Sequence, residues 1–195
     1  MSEKTRIKNH PERAVPQEAQ DIMAQGLVAH VGFIEKYGED HGPVVIPMSY
    51  HYDTAHPHQV YLHGSIRSRL LQTLAGGAPV CLSVTITDGL VYSRKAMNHS
   101  MNYRSVVAFG HATEVTDAAE KFALFTQMVR RYFPGRTPDQ DYVAPSAPDL
   151  GVTTLLRVEI EDWNAKARRG GPTALDDNNP QAPGSAGVID LPGIQ

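Results

Sequence analysis

The chain has 195 residues, with 18 basic and 21 acidic side chains and a formal net charge of -3. It carries no run of lysine or arginine that would bind nucleic acid or an anionic membrane, and no apolar stretch near the roughly 20 residues of a membrane-spanning helix. The single cysteine, Cys81, excludes an internal disulfide, and the polar N-terminus lacks the apolar core of a signal peptide. We therefore expect a cytoplasmic protein with no nucleic-acid or membrane partner. Its predicted organisation is an arm over 1–15, one domain over 16–168 and an irregular tail over 169–195.

The first predicted elements are a short helix and three strands. The helix spans residues 16–26, with Pro16 early and Gly26 as its stop. Turn-forming segments separate the β-rich stretches that follow, which indicates an antiparallel meander. These strands cover residues 27–38, 44–53 and 59–63.

The second of these strands has two distinct faces. Alternation puts Val44, Ile46, Met48, Tyr50 and Tyr52 on one face and Val45, Pro47, Ser49 and His51 on the other. Pro47 cannot donate a hydrogen bond to a neighbouring strand, which predicts a bulge or an open side there. Such an opening could admit a ligand.

The remaining pattern is again β-rich. A helix carrying Ile66, Leu70 and Leu74 ends at Gly76–Gly77, and Asp88–Gly89 predicts the turn of a hairpin over 79–94. A strand over 103–115 contains Gly110, which suggests a bulge or a close backbone approach. A helix over 117–133, capped by Asp117, and a strand over 153–163 complete the elements.

This order contains six or seven consecutive strands and three helices. It predicts a mainly β fold with peripheral helices, an antiparallel barrel or curled sheet, because strands and helices do not alternate as in a Rossmann fold.

The start of the helix after residue 63 offers a place for an anion. Ser65 is a suitable N-cap, and the free N–H groups of the next turn favour a phosphate. Ser68 can donate its hydroxyl, and Arg69 can grip phosphate oxygens in pairs. Taken alone, the stretch is explained better by an ordinary capped helix with solvated arginines.

Residues 60–115, with "LHGSIRSRLL" and "HSMNYRSVVAFG", closely resemble a known family. It is the flavin-nucleotide-binding branch of the pyridoxamine 5'-phosphate oxidase-like split-barrel superfamily, which includes the nitroimidazole-resistance (Nim) proteins. With "VVIPMSYHYD" and "VEIEDWNAKA", the resemblance covers roughly residues 20–168.

The resemblance implies a six-stranded split barrel that forms a homodimer, with FMN in the cleft between subunits. By this similarity His63, Ser68 and Arg69 approach the phosphate, and Arg104 and Ser105 reach the ring edge or the phosphate. The isoalloxazine ring is expected against Ile46, Pro47, Met48 and Ser49, with Trp163 and Lys166 contributed across the interface. Several of these residues also have purely structural explanations. Pro47 could be an edge-strand proline, Met48 could belong to the core, and Arg104 could pair with an acidic side chain.

Two differences between this sequence and the patterns of the family limit the activities that we expect. The residues after Trp163 do not match the Arg- and His-rich C-terminal block of pyridoxamine-phosphate oxidases, so vitamin B6 oxidase activity is not expected. Haem-degrading relatives use a histidine in an added C-terminal segment, whereas all nine histidines here lie at or before position 111. A haem would have to use His63 or His99.

A compact set of possible metal ligands comprises His51, Asp53, His56 and His58. The sequence has no second group of ligands at the spacing typical of a zinc site. The four side chains are explained more simply as part of a solvated hairpin loop.

The functional hypothesis is therefore an FMN-dependent oxidoreductase that passes electrons from a reduced nicotinamide or similar donor to a small acceptor, including a nitroaromatic one. Flavin supplies the redox chemistry itself, so the sequence assigns no catalytic side chain. The alternatives are a flavin-binding or sensing dimer without turnover, a dimeric scaffold that has lost its flavin, and an enzyme like pyridoxamine-phosphate oxidase.

Overall fold

The computed structural model describes residues 2–37 and 39–191. In these residues the main α-helices are α1 (Ala19–Gln25), α2 (Arg69–Ala75), α3 (Ala118–Tyr132) and α4 (Ala147–Gly151). The strands are β1 (Val28–Tyr37), β2 (Asp40–Ser49), β3 (His51–Tyr52), β4 (Gln59–Ser65), β5 (Pro79–Tyr92), β6 (Ser100–Glu114), β7 (Thr153–Arg168) and β8 (Gly187–Asp190). No helix in the described part of the chain is long and apolar enough to cross a membrane.

One nearly continuous segment, residues 40–52, closes the sheet into a barrel. The strand order is β2-β1-β5-β6-β7-β4-β3, with β8 paired to β5. Only Tyr50 separates β2 from β3, yet these two strands lie at opposite ends of that order. The predicted mainly β, antiparallel split barrel is confirmed, although eight strands are present in the described residues instead of six.

Strand alternation fills the barrel interior. Ile46 and Met48 pack against the main core, and Tyr50 and Tyr52 belong to it, as the pattern of β2 predicts. Pro47 faces outward on an edge strand that pairs only with β1, opposite His30. The open side predicted from Pro47 is therefore present.

Arg131 of α3 holds the junction between β2 and β3. Its guanidinium donates to the carbonyl oxygen of Tyr50, and it donates to those of Met23 (3.0 Å) and Gly26 (2.6 Å) at the end of α1. It also lies 4.3 Å from the centroid of the Tyr50 ring. The hydroxyl of Tyr132 accepts from the Tyr50 N–H at 2.9 Å. These contacts join α1, α3 and the barrel edge.

Two segments differ from the sequence prediction. The prediction of a hairpin at Asp88–Gly89 is wrong. Strand β5 continues through these two residues with a register shift, because β6 pairs along one side of it and β8 along the other. The segment after Arg168 is not wholly irregular, since β8 pairs with β5 of the same chain. Buried Asp177 anchors this segment by accepting from Ser93 and from the Arg94 N–H.

Gly110 lies at a β-bulge in β6, as predicted, where the register with β7 shifts. A Cβ added at Gly110 would lie 1.9 Å from the carbonyl oxygen of Glu159. Because that neighbour is backbone within a long strand pair, we expect Gly110→Ala to lower the free energy of unfolding by about 3 kcal/mol. Urea denaturation measures this change.

The matched control is Gly151→Ala at the end of α4, where an added Cβ meets nothing within 4 Å. It should change stability by less than about 0.5 kcal/mol. Equal stability of the two variants would contradict the close approach at Gly110.

Candidate functional site

The main cavity lies between the barrel and α3, with a volume of about 660 Å³. Its barrel side contains Ser49, Tyr50 and His63, and a second side comes from α3 and the segment that follows it. The full lining is largely apolar and aromatic, which is typical of small-molecule and cofactor sites; from α3 onward it comprises Phe125, Met128, Val129, Tyr132, Phe133, Tyr142, Val143, Ala144, Pro145 and Asp149.

His63 brings the imidazole to this cavity. It lies on β4 opposite Leu155, and its ring meets the Phe125 ring edge-on at 5.2 Å between centroids. Its Nδ1 is buried without a hydrogen-bond partner, which leaves Nε2 as the nitrogen available to a ligand. Burial lowers the pKa of His63 below the ordinary 6.5, so the ring is neutral at pH 7.

Tyr142 supplies a second polar group without a partner. Its hydroxyl is buried and makes no hydrogen bond, and the Arg136 guanidinium lies 5.9 Å from the centroid of its ring. An unpaired buried hydroxyl costs about 1–3 kcal/mol. An unpaired polar group on a residue that lines a cavity is a candidate partner for a ligand bound there.

The predicted phosphate site is divided between two places. Helix α2 begins at Arg69, and its N-cap is Ser68, which accepts from the Leu71 N–H, rather than Ser65. The Arg69 guanidinium pairs with buried Glu35 of β1 at 3.3 Å, while its side chain is 70% exposed. His63 packs against Phe125 in the wall of the main cavity, while Ser68 and Arg69 lie at the start of α2.

The predicted ring-lining residues also lie on two faces. Ile46 and Met48 face the core, whereas Pro47 and Ser49 face outward, because successive side chains of a strand alternate. Ser49 lines the main cavity.

Arg104 has the acidic partner that the sequence left open. It binds Asp88 through Nε (2.9 Å) and Nη2 (2.7 Å), and Nη1 donates to Gln25 at 2.8 Å. The hydrogen bonds to Asp88 raise the pKa of Arg104 above its ordinary value. It lines a second cavity of about 400 Å³ together with His30.

The other predicted contacts lie on β6 and β7. Ser105 is opposite Lys166, and its hydroxyl is 3.4 Å from the Lys166 carbonyl oxygen. Trp163 packs against the main core and against the ring of His58, with 5.3 Å between centroids.

The possible metal cluster is dispersed. His51 is buried and lies 3.2 Å from Gln127, Asp53 accepts from the Ala55 N–H, and His56 is 3.3 Å from Asp53. Within the described residues, no three metal-ligating side chains form a group.

The wall formed by α3 and residues 133–149 was missed by the sequence prediction. Its signal was a second apolar row on the helix, Phe125, Val129 and Phe133, at the three-to-four-residue spacing of one helical face. The amphipathic pattern predicted the helix but not that this row faces a cavity.

Comparisons with known proteins agree with the fold. The sequence model of the family described as pyridoxamine 5'-phosphate oxidase matches residues 16–167. The chain is 30% identical to the FAD and heme binding protein from Mycobacterium smegmatis, over 92% of this chain and 84% of that one, with a TM-score of 0.79. It is 28% identical to the flavocytochrome Anf3 from Azotobacter vinelandii, over 100% and 86%, with a TM-score of 0.82.

A protein from Bacteroides thetaiotaomicron, assigned to 5-nitroimidazole antibiotic resistance, shares the fold at 21% identity. The match covers 79% of this chain and 86% of that one, with a TM-score of 0.60. No curated protein sequence matches the chain.

Buried His51 and half-buried His63 predict how stability depends on pH. Burial lowers the pKa of both His51 and His63 in the folded state. In the unfolded state their rings take up protons near pH 6.5, so the unfolded state binds more protons as the pH falls below that value. The free energy of unfolding should therefore fall between pH 7.5 and pH 5.5.

Urea denaturation across this range, without added cofactor, measures the effect. His63→Gln removes one titrating group and should flatten the dependence, whereas His99→Gln, at an exposed position, should keep the wild-type slope. A wild-type stability that rises as the pH falls would contradict the assignment.

Proposed function

The chain belongs to the pyridoxamine 5'-phosphate oxidase family, and from this premise we propose that it is a redox protein that binds both a flavin and a haem. The flavin nucleotide would lie in the cleft between two subunits of a homodimer, and the haem in the cavity beside His63. The names of the M. smegmatis and A. vinelandii relatives, which combine FAD or flavin with haem, support this pairing.

The observation that carries the proposal is the unpartnered imidazole of His63 in the wall of the main cavity. A neutral histidine in an apolar pocket is the common proximal ligand of a haem, and the lowered pKa of His63 keeps the ring in the form that can donate a lone pair. With the ring hydrogen on buried Nδ1, the lone pair of Nε2 is directed to the ligand.

The cavity fits a haem in both size and lining. Its volume of about 660 Å³ lies within the range of small-molecule sites, about 300–1,000 Å³. Phe125, Val129 and Phe133 supply aromatic and aliphatic surface for a porphyrin ring.

His99, the other histidine considered for haem, is in a different setting. It lies at the end of a 3₁₀ turn, where Nδ1 is 3.1 Å from the Ala96 carbonyl oxygen and the side chain is exposed. An exposed position cannot shield a porphyrin from water, so we assign the ligand to His63 alone.

The flavin site is proposed from the relatives and from the predicted residues, not from a preformed phosphate socket. Arg69 would have to leave Glu35 to grip a phosphate, and because the Glu35 side chain is only 9% exposed this costs more than the about 0–1 kcal/mol of a surface ion pair. His63 is withdrawn from the predicted phosphate ligands, because it is assigned to the haem cavity. Ser68, Arg69, Arg104 and Ser105 remain the proposed flavin contacts, with residues 46–49, Trp163 and Lys166 around the ring.

When bound, flavin supplies hydride chemistry and haem supplies one-electron chemistry, so this chain's residues have to bind, orient and shield the two groups. The proposed role is to take electrons from a reduced nicotinamide or similar donor and pass them on to a small acceptor. Anaerobic mixing with NADH or NADPH tests this role. If neither NADH nor NADPH reduces the bound flavin or haem, the protein would be a binding or sensing protein without turnover.

Haem titration of single-histidine variants tests the assignment of the ligand. Wild-type protein and His99→Ala should bind one haem per chain with the same Soret band, measured after reconstitution with hemin. His63→Ala should bind at least about 100-fold more weakly, because the coordinate bond is lost. An unchanged spectrum and affinity in His63→Ala would remove His63 from the site.

Flavin titration tests the proposed phosphate contact. Protein with bound flavin should absorb at about 450 nm. Parallel titrations of apoprotein with FMN and FAD identify the nucleotide, and FMN is the form predicted from the sequence. Arg69→Ala should weaken binding by about 1.5–3 kcal/mol if the charged hydrogen bond forms.

Arg67→Ala removes an equally charged, exposed side chain two residues away and provides the matched control. Its flavin affinity should equal that of the wild type. Equal losses in both variants would mean a general charge effect, and no loss in either would exclude Arg69 from the site.

A further inference from the structure

The main cavity has two walls that offer different chemistry to a haem. His63 on β4 and Met128 on α3 belong to the side that packs on the sheet, where Met128 joins a buried cluster with Tyr61 and Leu155. The segment 142–145 forms another side and has the sequence Tyr-Val-Ala-Pro, which contains no imidazole, thiol or thioether. A haem bound to His63 would therefore meet only a phenol as the polar group of that segment.

The phenol of Tyr142 is placed by a loop that is already ordered by its own hydrogen bonds. The Tyr142 carbonyl oxygen accepts from the Asp139 N–H at 2.7 Å, and the Asp139 carboxylate accepts from the Ala144 N–H at 3.1 Å. Arg136 donates to the Asp141 carbonyl oxygen. The hydroxyl therefore needs little further ordering when it binds a ligand, which lowers the entropic cost.

The two unpartnered groups of the cavity do not bond to each other, although both have capacity to spare. The Nδ1 of His63 and the hydroxyl of Tyr142 are both without a hydrogen-bond partner. A haem bound through Nε2 of His63 would leave the Tyr142 hydroxyl, in the wall of the same cavity, able to pair with a ligand of that haem.

We propose that Tyr142 donates the hydrogen bond that holds a small neutral diatomic ligand, such as dioxygen or carbon monoxide, on the haem iron at the position not taken by His63. This inference rests on the proposed haem site. The carboxylate of Asp149 also lines the cavity, held by the Ser146 hydroxyl and N–H. Its fixed negative charge opposes anionic ligands and favours neutral ones.

Carbon monoxide binding to the reduced, hemin-reconstituted full chain tests the proposal. In wild-type protein the ferrous haem should take up carbon monoxide. Tyr142→Phe should bind hemin with wild-type affinity, raise the infrared C–O stretching frequency, and release carbon monoxide about 3- to 10-fold faster, because one hydrogen bond is lost.

Tyr61→Phe is the control for the same chemical change outside the cavity. Tyr61 donates its hydroxyl to Gln59 at 2.9 Å, so its C–O frequency and release rate should be those of the wild type. Similar values in Tyr142→Phe and Tyr61→Phe would overturn the proposal.

The remaining outcomes separate this inference from the proposed function. If the wild type binds no hemin, both fail. If it binds hemin through His63 but takes up no carbon monoxide, the haem site stands and the role of Tyr142 fails. Loss of hemin in Tyr142→Phe would make Tyr142 an iron ligand and would also overturn the proposal.

Discussion

The structure depends on how one guanidinium is satisfied. Arg131 lies against the Tyr50 ring and donates to carbonyl oxygens of Tyr50, Met23, Ala24 and Gly26. Burying an unpaired charge would be costly, but the last carbonyls of α1 carry the negative end of its helix dipole. The same cation therefore ends α1, fixes the only residue between β2 and β3, and sets the position of α3. Because α3 forms one side of the cavity, the contacts of Arg131 also determine the geometry of the candidate site.

Helix α3 can form a cavity because it has two apolar rows. One row, with Leu124 and Met128, packs over Tyr61 and Leu155 of the sheet. The other, with Phe125, Val129 and Phe133, is left for the segment that follows the helix, and Phe133 remains 58% exposed. The loop over 136–144 is ordered by its own hydrogen bonds and does not collapse onto this row. The space between them is therefore a consequence of local loop structure as much as of the barrel.

The sequence was sufficient to predict those features that depend on local chemistry. Alternation placed Ile46 and Met48 inside, Asp117 caps α3, and Gly110 marks the bulge. It failed where the decision is made by a distant partner. The strand through Asp88–Gly89 continues because β8, about a hundred residues later, pairs with it, and the partner of Arg69 is Glu35 on β1. Ser65 was predicted as the N-cap of α2, but it still pairs with Thr153 on β7, so the helix starts only after Ser68, which caps it.

The two proposed groups share one strand, β2, which gives the pairing a physical basis. Ser49 of β2 is among the residues predicted to line the flavin ring and also lines the main cavity, as does His63 of β4. Pro47 at the open edge and Ser49 in the cavity wall lie on the same, outward face of β2, because they are two residues apart. A flavin held by the predicted residues of β2 would therefore border the cavity that Ser49 and His63 line. In this arrangement the barrel needs no dedicated acid or base, and the side chains that matter are those that hold the two groups in place.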